Sequence, residues 1–216
     1  MRIRSITPIR VDDDEVARRQ ERYNRLAPAG WHLTLENLPE GSPTELGSPG
    51  DVRASEKLLL ELGAATPADE YDAFMPDCVL DPSVTELDEA SPVTVLGISR
   101  LGAHHLAACG QAFGVITRNR TIADEFSELM GRYGLDHAYR GAFVLDLGVD
   151  AVSDHDAWNA AVRTQAERAR AAGVTTLING CSAVDIATEG TGVRLVDPIE
   201  LAFEVAAAGE RTRLLP

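Results

Sequence analysis

Basic residues are scarce in this chain: 20 Lys and Arg stand against 34 Asp and Glu, for a formal net charge of -14. No run of consecutive basic residues offsets that deficit, which argues against nucleic acid and anionic membranes as partners. Long apolar runs are lacking too. None approaches the roughly 18 residues of a membrane span, and Met1-Arg2-Ile3-Arg4-Ser5 lacks the apolar core of a signal peptide, so a cytoplasmic protein is expected. Cysteine is equally sparse. The three present form no disulfide framework, and no Cys-x-x-Cys or Cys/His spacing marks a zinc site, so free thiols and no metal are expected.

What is present suits a globular α/β protein: 216 residues, 44% hydrophobic and 25% charged, enough for one large or two small domains. Apolar, β-branched runs near 2–7, 31–36, 71–76, 93–98, 113–117, 143–147, 174–179 and 193–196 predict strands. Helical patterns lie between most of them, from Asp12 to Leu26, Asp51 to Leu62, Leu101 to Cys109, Ile122 to Tyr133 and Asp154 to Ala172, with a last one from Pro198 to Ala208. Such alternation implies parallel sheets covered on both faces, with ligands bound outside the carboxyl ends of strands. The Gly/Pro-rich stretch 38–50 predicts a long loop, either a lid over a site or a solvated connector.

Two segments hold a cysteine where a strand run ends, Met75-Pro76-Asp77-Cys78-Val79-Leu80-Asp81-Pro82 and Leu177-Ile178-Asn179-Gly180-Cys181-Ser182-Ala183. A helix starting there would lower the thiol pKa through unpaired N–H groups and the macrodipole. Two such thiols suit acid/base chemistry on one carbon. The alternative is that each is a small buried hydrophobe. Cys109, inside Leu106-Ala107-Ala108-Cys109, reads as core. Asp77 and Asp81 could each orient a thiol, though Asp81 before Pro82 also reads as a helix cap. Thr121 reads as an N-cap, and His104 and His105 as structural. A weak echo of strand, strand, then strand ending in cysteine suggests two similar halves.

Cys78-Val79-Leu80-Asp81-Pro82, Val95-Leu96-Gly97-Ile98, Phe113-Gly114-Val115-Ile116-Thr117 and Asn179-Gly180-Cys181-Ser182, in this order, resemble the aspartate/glutamate/hydantoin racemase superfamily, hydantoin racemases most closely. The resemblance implies two pseudo-symmetric α/β domains with parallel sheets facing across a central cleft. The expected division is 1–98 with 197–216, and 99–196. It further implies a racemase needing no cofactor, a small-molecule substrate, a homo-oligomer, and Cys78 and Cys181 as acid/base groups on opposite faces of a carbonyl-activated carbon. Pro8, Val79, Arg100, Thr117, Arg118 and Ser182 are the expected substrate contacts, with backbone N–H groups near both thiols holding enolate charge. The chain departs from hydantoin racemases at Ile6-Thr7-Pro8-Ile9-Arg10, where an Asn-Pro-Asn segment is usual. Arg100 and Arg118 lean toward an anionic substrate. A maleate-type cis/trans isomerase and a malonate decarboxylase of the same fold are the competing activities, and a non-catalytic carboxylate-binding protein is the non-enzyme alternative.

Overall fold

The computed structural model describes residues 1–152, 154–186 and 190–215, with His155 by its backbone alone. Its strands are β1 (Arg2–Ile6), β2 (His32–Glu36), β3 (Ala73–Pro76), β4 (Thr94–Val95), β5 (Phe113–Thr117), β6 (Tyr139–Val144), β7 (Thr176–Asn179) and β8 (Arg194–Val196). The helices are α1 (Asp13–Leu26), α2 (Pro49–Ala64), α3 (Val84–Ala90), α4 (Ile98–Ala108), α5 (Arg120–Arg132), α6 (His155–Ala171) and α7 (Pro198–Arg211), with one 3-10 turn over Val149–Val152. The strands form two four-stranded sheets, ordered β2-β1-β3-β4 and β6-β5-β7-β8. Every pairing is parallel, and the strand order is the same in both. The echo in the sequence is therefore a repeated topology.

Contacts divide the chain into two compact units, Met1–Leu101 with Ile199–Pro216, and Gly102–Pro198. In the first, Ile6, Leu38, Leu59, Phe74, Val84, Leu87 and Val95 form a buried cluster. In the second, Ile116, Trp158, Val162, Leu177, Val184 and Leu195 do the same. Residues on β3, β5 and β7 are buried at every position, as parallel strands covered on both faces must be. Each fully buried aliphatic or aromatic side chain of this kind contributes about 1.5–3 kcal/mol.

Capping chemistry explains several boundaries. Helix α2 starts two residues earlier than the apolar pattern, because Ser48 and Asp51 close a capping box around Pro49. Helix α5 is capped by Asn119, whose side chain accepts from the Ile122 N–H at 2.9 Å, so Thr121 lies inside the helix and is not its cap. Strand β6 runs over Tyr139–Val144 rather than 143–147. Asp146 takes a left-handed backbone that breaks the later stretch, and Gly141 accompanies a register shift between β5 and β6. Helix α3 begins at Val84, later than the start expected at Cys78 or at Asp81-Pro82. It follows Ser83, also left-handed, and has no side-chain cap. Cys109 is exposed, contrary to the core placement expected of it, because α4 ends at Ala108 and the chain turns through Gly110. His104 and His105 are exposed on α4, with His104 against the Tyr133 ring.

The stretch between β2 and α2 is a loop, but its own residues anchor it. Leu38 and Leu46 are buried, and Arg10 donates to the Pro43 carbonyl through its backbone N–H at 2.7 Å and to the Leu38 carbonyl through its guanidinium at 2.7 Å. Among the described residues no helix is long and apolar enough to cross a membrane.

Candidate active site

Each sheet presents a cysteine just beyond the carboxyl end of its third strand. In the first unit Ile6 of β1 pairs with Pro76 of β3, and the Asp77 N–H donates to the Ile6 carbonyl at 2.9 Å. In the second, Ile116 of β5 pairs with Asn179 of β7, and the Gly180 N–H donates to the Ile116 carbonyl at 2.7 Å. Cys78 and Cys181 follow directly. They therefore occupy matching places in the two topologies.

Neither thiol sits at a helix start, and this corrects the sequence-based expectation. Helix α3 begins only at Val84, and the described residues after Cys181 form turns. Cys78 instead lies in a tight turn: its N–H donates to the Pro76 carbonyl at 2.8 Å, and its own carbonyl accepts from the Asp81 N–H at 3.1 Å. The Leu80 N–H approaches the buried Cys78 sulfur at 3.5 Å. A donor aimed at sulfur favours the thiolate locally, where a macrodipole had been expected to do so.

Asp77, next to that thiol, is completely buried and held by helix α1. Its carboxylate accepts from the Tyr23 hydroxyl and, at 3.3 Å, from the Arg19 guanidinium. Arg19 in turn donates to Glu15 at 2.7 Å, as does Arg18. Burial works against ionised Glu15, but hydrogen bonds and charge from Arg18 and Arg19 outweigh it and hold this carboxyl below its usual range. Glu15, Arg19 and Tyr23 are spaced i, i+4, i+8 and so share one helix face. That spacing was the signal by which the sequence could have disclosed the cluster.

Burial, reinforced by the neighbouring Asp77 charge, pushes the Tyr23 phenol well above its ordinary value. A raised folded-state pKa gives stability that is complete below the unfolded value and is lost as pH rises through the folded one. Urea midpoints are therefore expected to fall between about pH 9 and about pH 11, and Tyr23→Phe is expected to remove the part of that slope due to this phenol. An unchanged slope in the variant would assign the alkaline loss to other groups.

Asp81 is a cap, though of a different helix from the one its sequence neighbours suggest. Its two carboxylate oxygens accept from the Ser99 N–H at 3.0 Å and the Arg100 N–H at 2.6 Å, covering the start of α4. Gly97 makes room for it, since a Cβ there would lie 2.8 Å from the Asp81 carboxylate. Ser99 adds a hydroxyl bond to the Val79 carbonyl. The Pro8 carbonyl accepts from the Ser55 hydroxyl. Arg100 ion-pairs with Asp88 and donates to the Val95 carbonyl, so its guanidinium is engaged inside its own unit.

In the second unit Asn179 shapes the turn that carries Cys181. Its side-chain amide donates to the carbonyls of Cys181 at 2.9 Å and Val184 at 3.1 Å. The close approach of β5 and β7 requires glycine next, because a Cβ on Gly180 would stand 2.3 Å from the Ile116 carbonyl oxygen. Thr117 and Ser182 are buried here, and the Thr117 hydroxyl donates to the Asn119 carbonyl at 3.2 Å. Arg118 follows β5 and donates to the Leu147 carbonyl at 3.3 Å. Sequence reasoning named these residues but missed the framing parts played by Asn179, Ser99 and Arg19. Among the described residues no cluster of His, Cys, Asp and Glu could hold a metal ion.

The sequence model of the Asp/Glu/Hydantoin racemase family matches residues 16–206. No curated protein matches the chain by sequence. Among solved structures, an allantoin racemase from Pseudomonas fluorescens superposes with a TM-score of 0.84 at 19% identity, over 100% of this chain and 93% of that one. An allantoin racemase from Klebsiella pneumoniae gives 0.82 at 20% identity, over 100% and 89%. A doubly substituted arylmalonate decarboxylase in liganded form gives 0.65 at 16% identity, over 96% and 93%. Identities this low establish a shared fold.

Proposed function

The chain belongs to the Asp/Glu/hydantoin racemase family and is an enzyme of the isomerase class; from that premise we propose that it is a cofactor-independent racemase with Cys78 and Cys181 as its two acid/base groups. The observation that carries this reading is the matching position of the two thiols, each just past the end of the third strand of its sheet. In the reaction proposed, one cysteine as thiolate takes the proton from a carbon next to a carbonyl while the other, as thiol, delivers a proton to the opposite face. The roles exchange for the reverse direction. Charge moves onto the carbonyl oxygen as the proton leaves, and backbone N–H groups near each thiol are the proposed donors that stabilise it. Donors of this sort cost about 2.7–4 kcal/mol each when removed. The substrate is a small amino acid, hydantoin or related compound; the allantoin racemases lend weight to a hydantoin-like ring, and the decarboxylase relative keeps aryl malonates among the candidates.

The test is proton NMR in deuterated buffer with single-enantiomer amino acids, 5-substituted hydantoins, maleate and aryl malonates. Loss of the α-proton signal with decaying optical rotation is the expected result. Conversion of maleate to fumarate, or loss of carbon dioxide from a malonate, would replace racemisation with the corresponding alternative. Binding of small carboxylates without any solvent deuterium entering them would favour a non-catalytic protein.

A further inference from the structure

Ser99 is 2% exposed in the first turn of α4, and its hydroxyl donates across 20 residues to the Val79 carbonyl, in the turn that carries Cys78. That carbonyl and the Leu80 N–H belong to one peptide group. In a trans peptide, as this one is, the two point in opposite directions, so a donor that holds the oxygen also sets where the N–H points. Here the N–H points at the Cys78 sulfur, 3.5 Å away. Ser99 is itself fixed, because the Asp81 carboxylate accepts from its backbone N–H at 3.0 Å and from that of Arg100 at 2.6 Å. Asp81 also closes the turn by donating its N–H to the Cys78 carbonyl at 3.1 Å. Every residue in this series of bonds lies in the first unit.

We propose that Ser99 is a positioning residue for Cys78: by holding the Val79 carbonyl it keeps the Leu80 N–H aimed at the sulfur. The inference rests on the racemase reading for its catalytic consequence and goes beyond it in naming the group that orients one thiol's donor. If this peptide turned over, the Val79 carbonyl would face the sulfur in place of the N–H, and a carbonyl dipole disfavours the thiolate that an N–H favours. The charged groups around the turn have partners of their own. Asp77 accepts from the Tyr23 hydroxyl and pairs with Arg19 of α1, Asp81 covers two N–H groups of α4, and Arg100 of α4 pairs with Asp88 of α3. Ser99 brings no charge, so its effect on the thiol is that of the N–H it aims. The second unit relies on a different group: the Asn179 amide holds the Cys181 carbonyl at 2.9 Å, so a change at Ser99 should leave Cys181 as it was.

The experiment follows iodoacetamide alkylation of Cys78 and Cys181 against pH, the two thiols being resolved by peptide mass mapping. The proteins are wild type, Ser99→Ala and the isosteric pair Ser99→Thr and Ser99→Val. Ser99→Ala and Ser99→Val are expected to raise the midpoint of the Cys78 profile by about one pH unit, as the loss of a hydrogen bond to an ionised group should. The Cys181 profile should not move, and Ser99→Thr should stay close to wild type. Packing loss alone would lower Tm and leave the Cys78 midpoint in place. Threonine and valine share a shape, so their comparison decides the matter if the alanine variant does not fold. An unchanged Cys78 midpoint in Ser99→Ala, equal midpoints in Ser99→Thr and Ser99→Val, or an equal shift at Cys181 would each overturn the assignment. On a substrate found by the deuterium test, Ser99→Ala is expected to lower kcat about tenfold with KM unchanged, whereas a raised KM with kcat intact would make Ser99 a substrate contact and overturn the positioning role. The Cys78 shift with no α-proton exchange from any substrate would leave this inference standing and remove the racemase reading.

Discussion

Alanine at position 78 or at position 181 is expected to lower kcat/KM for racemisation by about 10²–10⁴-fold, the usual effect of removing a positioned general acid or base. Alanine at position 109 should leave it near the wild-type value, since Cys109 is exposed at the end of α4. Both directions must fall together, because enantiomers have equal free energy and the equilibrium constant is unity. Proton exchange need not be symmetric, and on the proposed mechanism the two thiols are expected to part company. If the proposed division of faces holds, replacing Cys78 is expected to leave Cys181 exchanging the α-proton of the enantiomer whose proton faces it, and the converse variant to exchange the other enantiomer. Deuterium wash-in followed by NMR, one enantiomer at a time, reads this directly. Loss of activity in all three variants with intact folding, or identical exchange of both enantiomers in each single variant, would count against a two-thiol division of faces.

Asp77→Ala is expected to cost about 3–5 kcal/mol of stability, the penalty of breaking a buried ion pair by removing one partner. Asp77 is fully buried, and its loss takes the acceptor from both the Tyr23 hydroxyl and the Arg19 guanidinium. Domains commonly have only about 5–15 kcal/mol in hand, so the variant should unfold at far lower urea. Arg19 would keep Glu15 but lose its second carboxylate. Replacing Asp77 with leucine and Arg19 with methionine together should recover much of the loss, since neither charge is then stranded. Equal destabilisation by the single and double replacements would show that packing, and not charge, is what Asp77 supplies. The cluster also ties α1 to the residue preceding Cys78, so in any folded Asp77 variant the alkylation rate of Cys78 should change while that of Cys181 does not.

The parts of this fold legible in the sequence were those with strong local signals. β5 is a run of five residues buried throughout, and its limits were read without error. The ends of β3 and β7, and with them the places of both thiols, were marked by apolar runs meeting Asp77 and Gly180. What was not legible depends on partners far along the chain. Asp81 caps α4 across 18 and 19 residues, whereas the adjoining Pro82 suggested a cap for its own helix. The expected helix start at Cys78 failed for a local reason instead: a left-handed Ser83 and a turn at Cys78 delay α3. Arg118 and Arg100 looked alike as sequence, yet one is paired with Asp88 and the other is buried beside a single carbonyl.

The chain leaves the first unit at Leu101 and returns to it at Ile199, and that detour sets an order of assembly. During synthesis the whole of the second unit has emerged before α7 exists, whereas Trp31 must wait for Glu210, 179 positions later, to receive the hydrogen bond of its indole. All residues of the second unit are therefore released while the unit begun first still lacks α7. Truncations near the C-terminus should accordingly injure the unit that carries Cys78 and spare the one that carries Cys181.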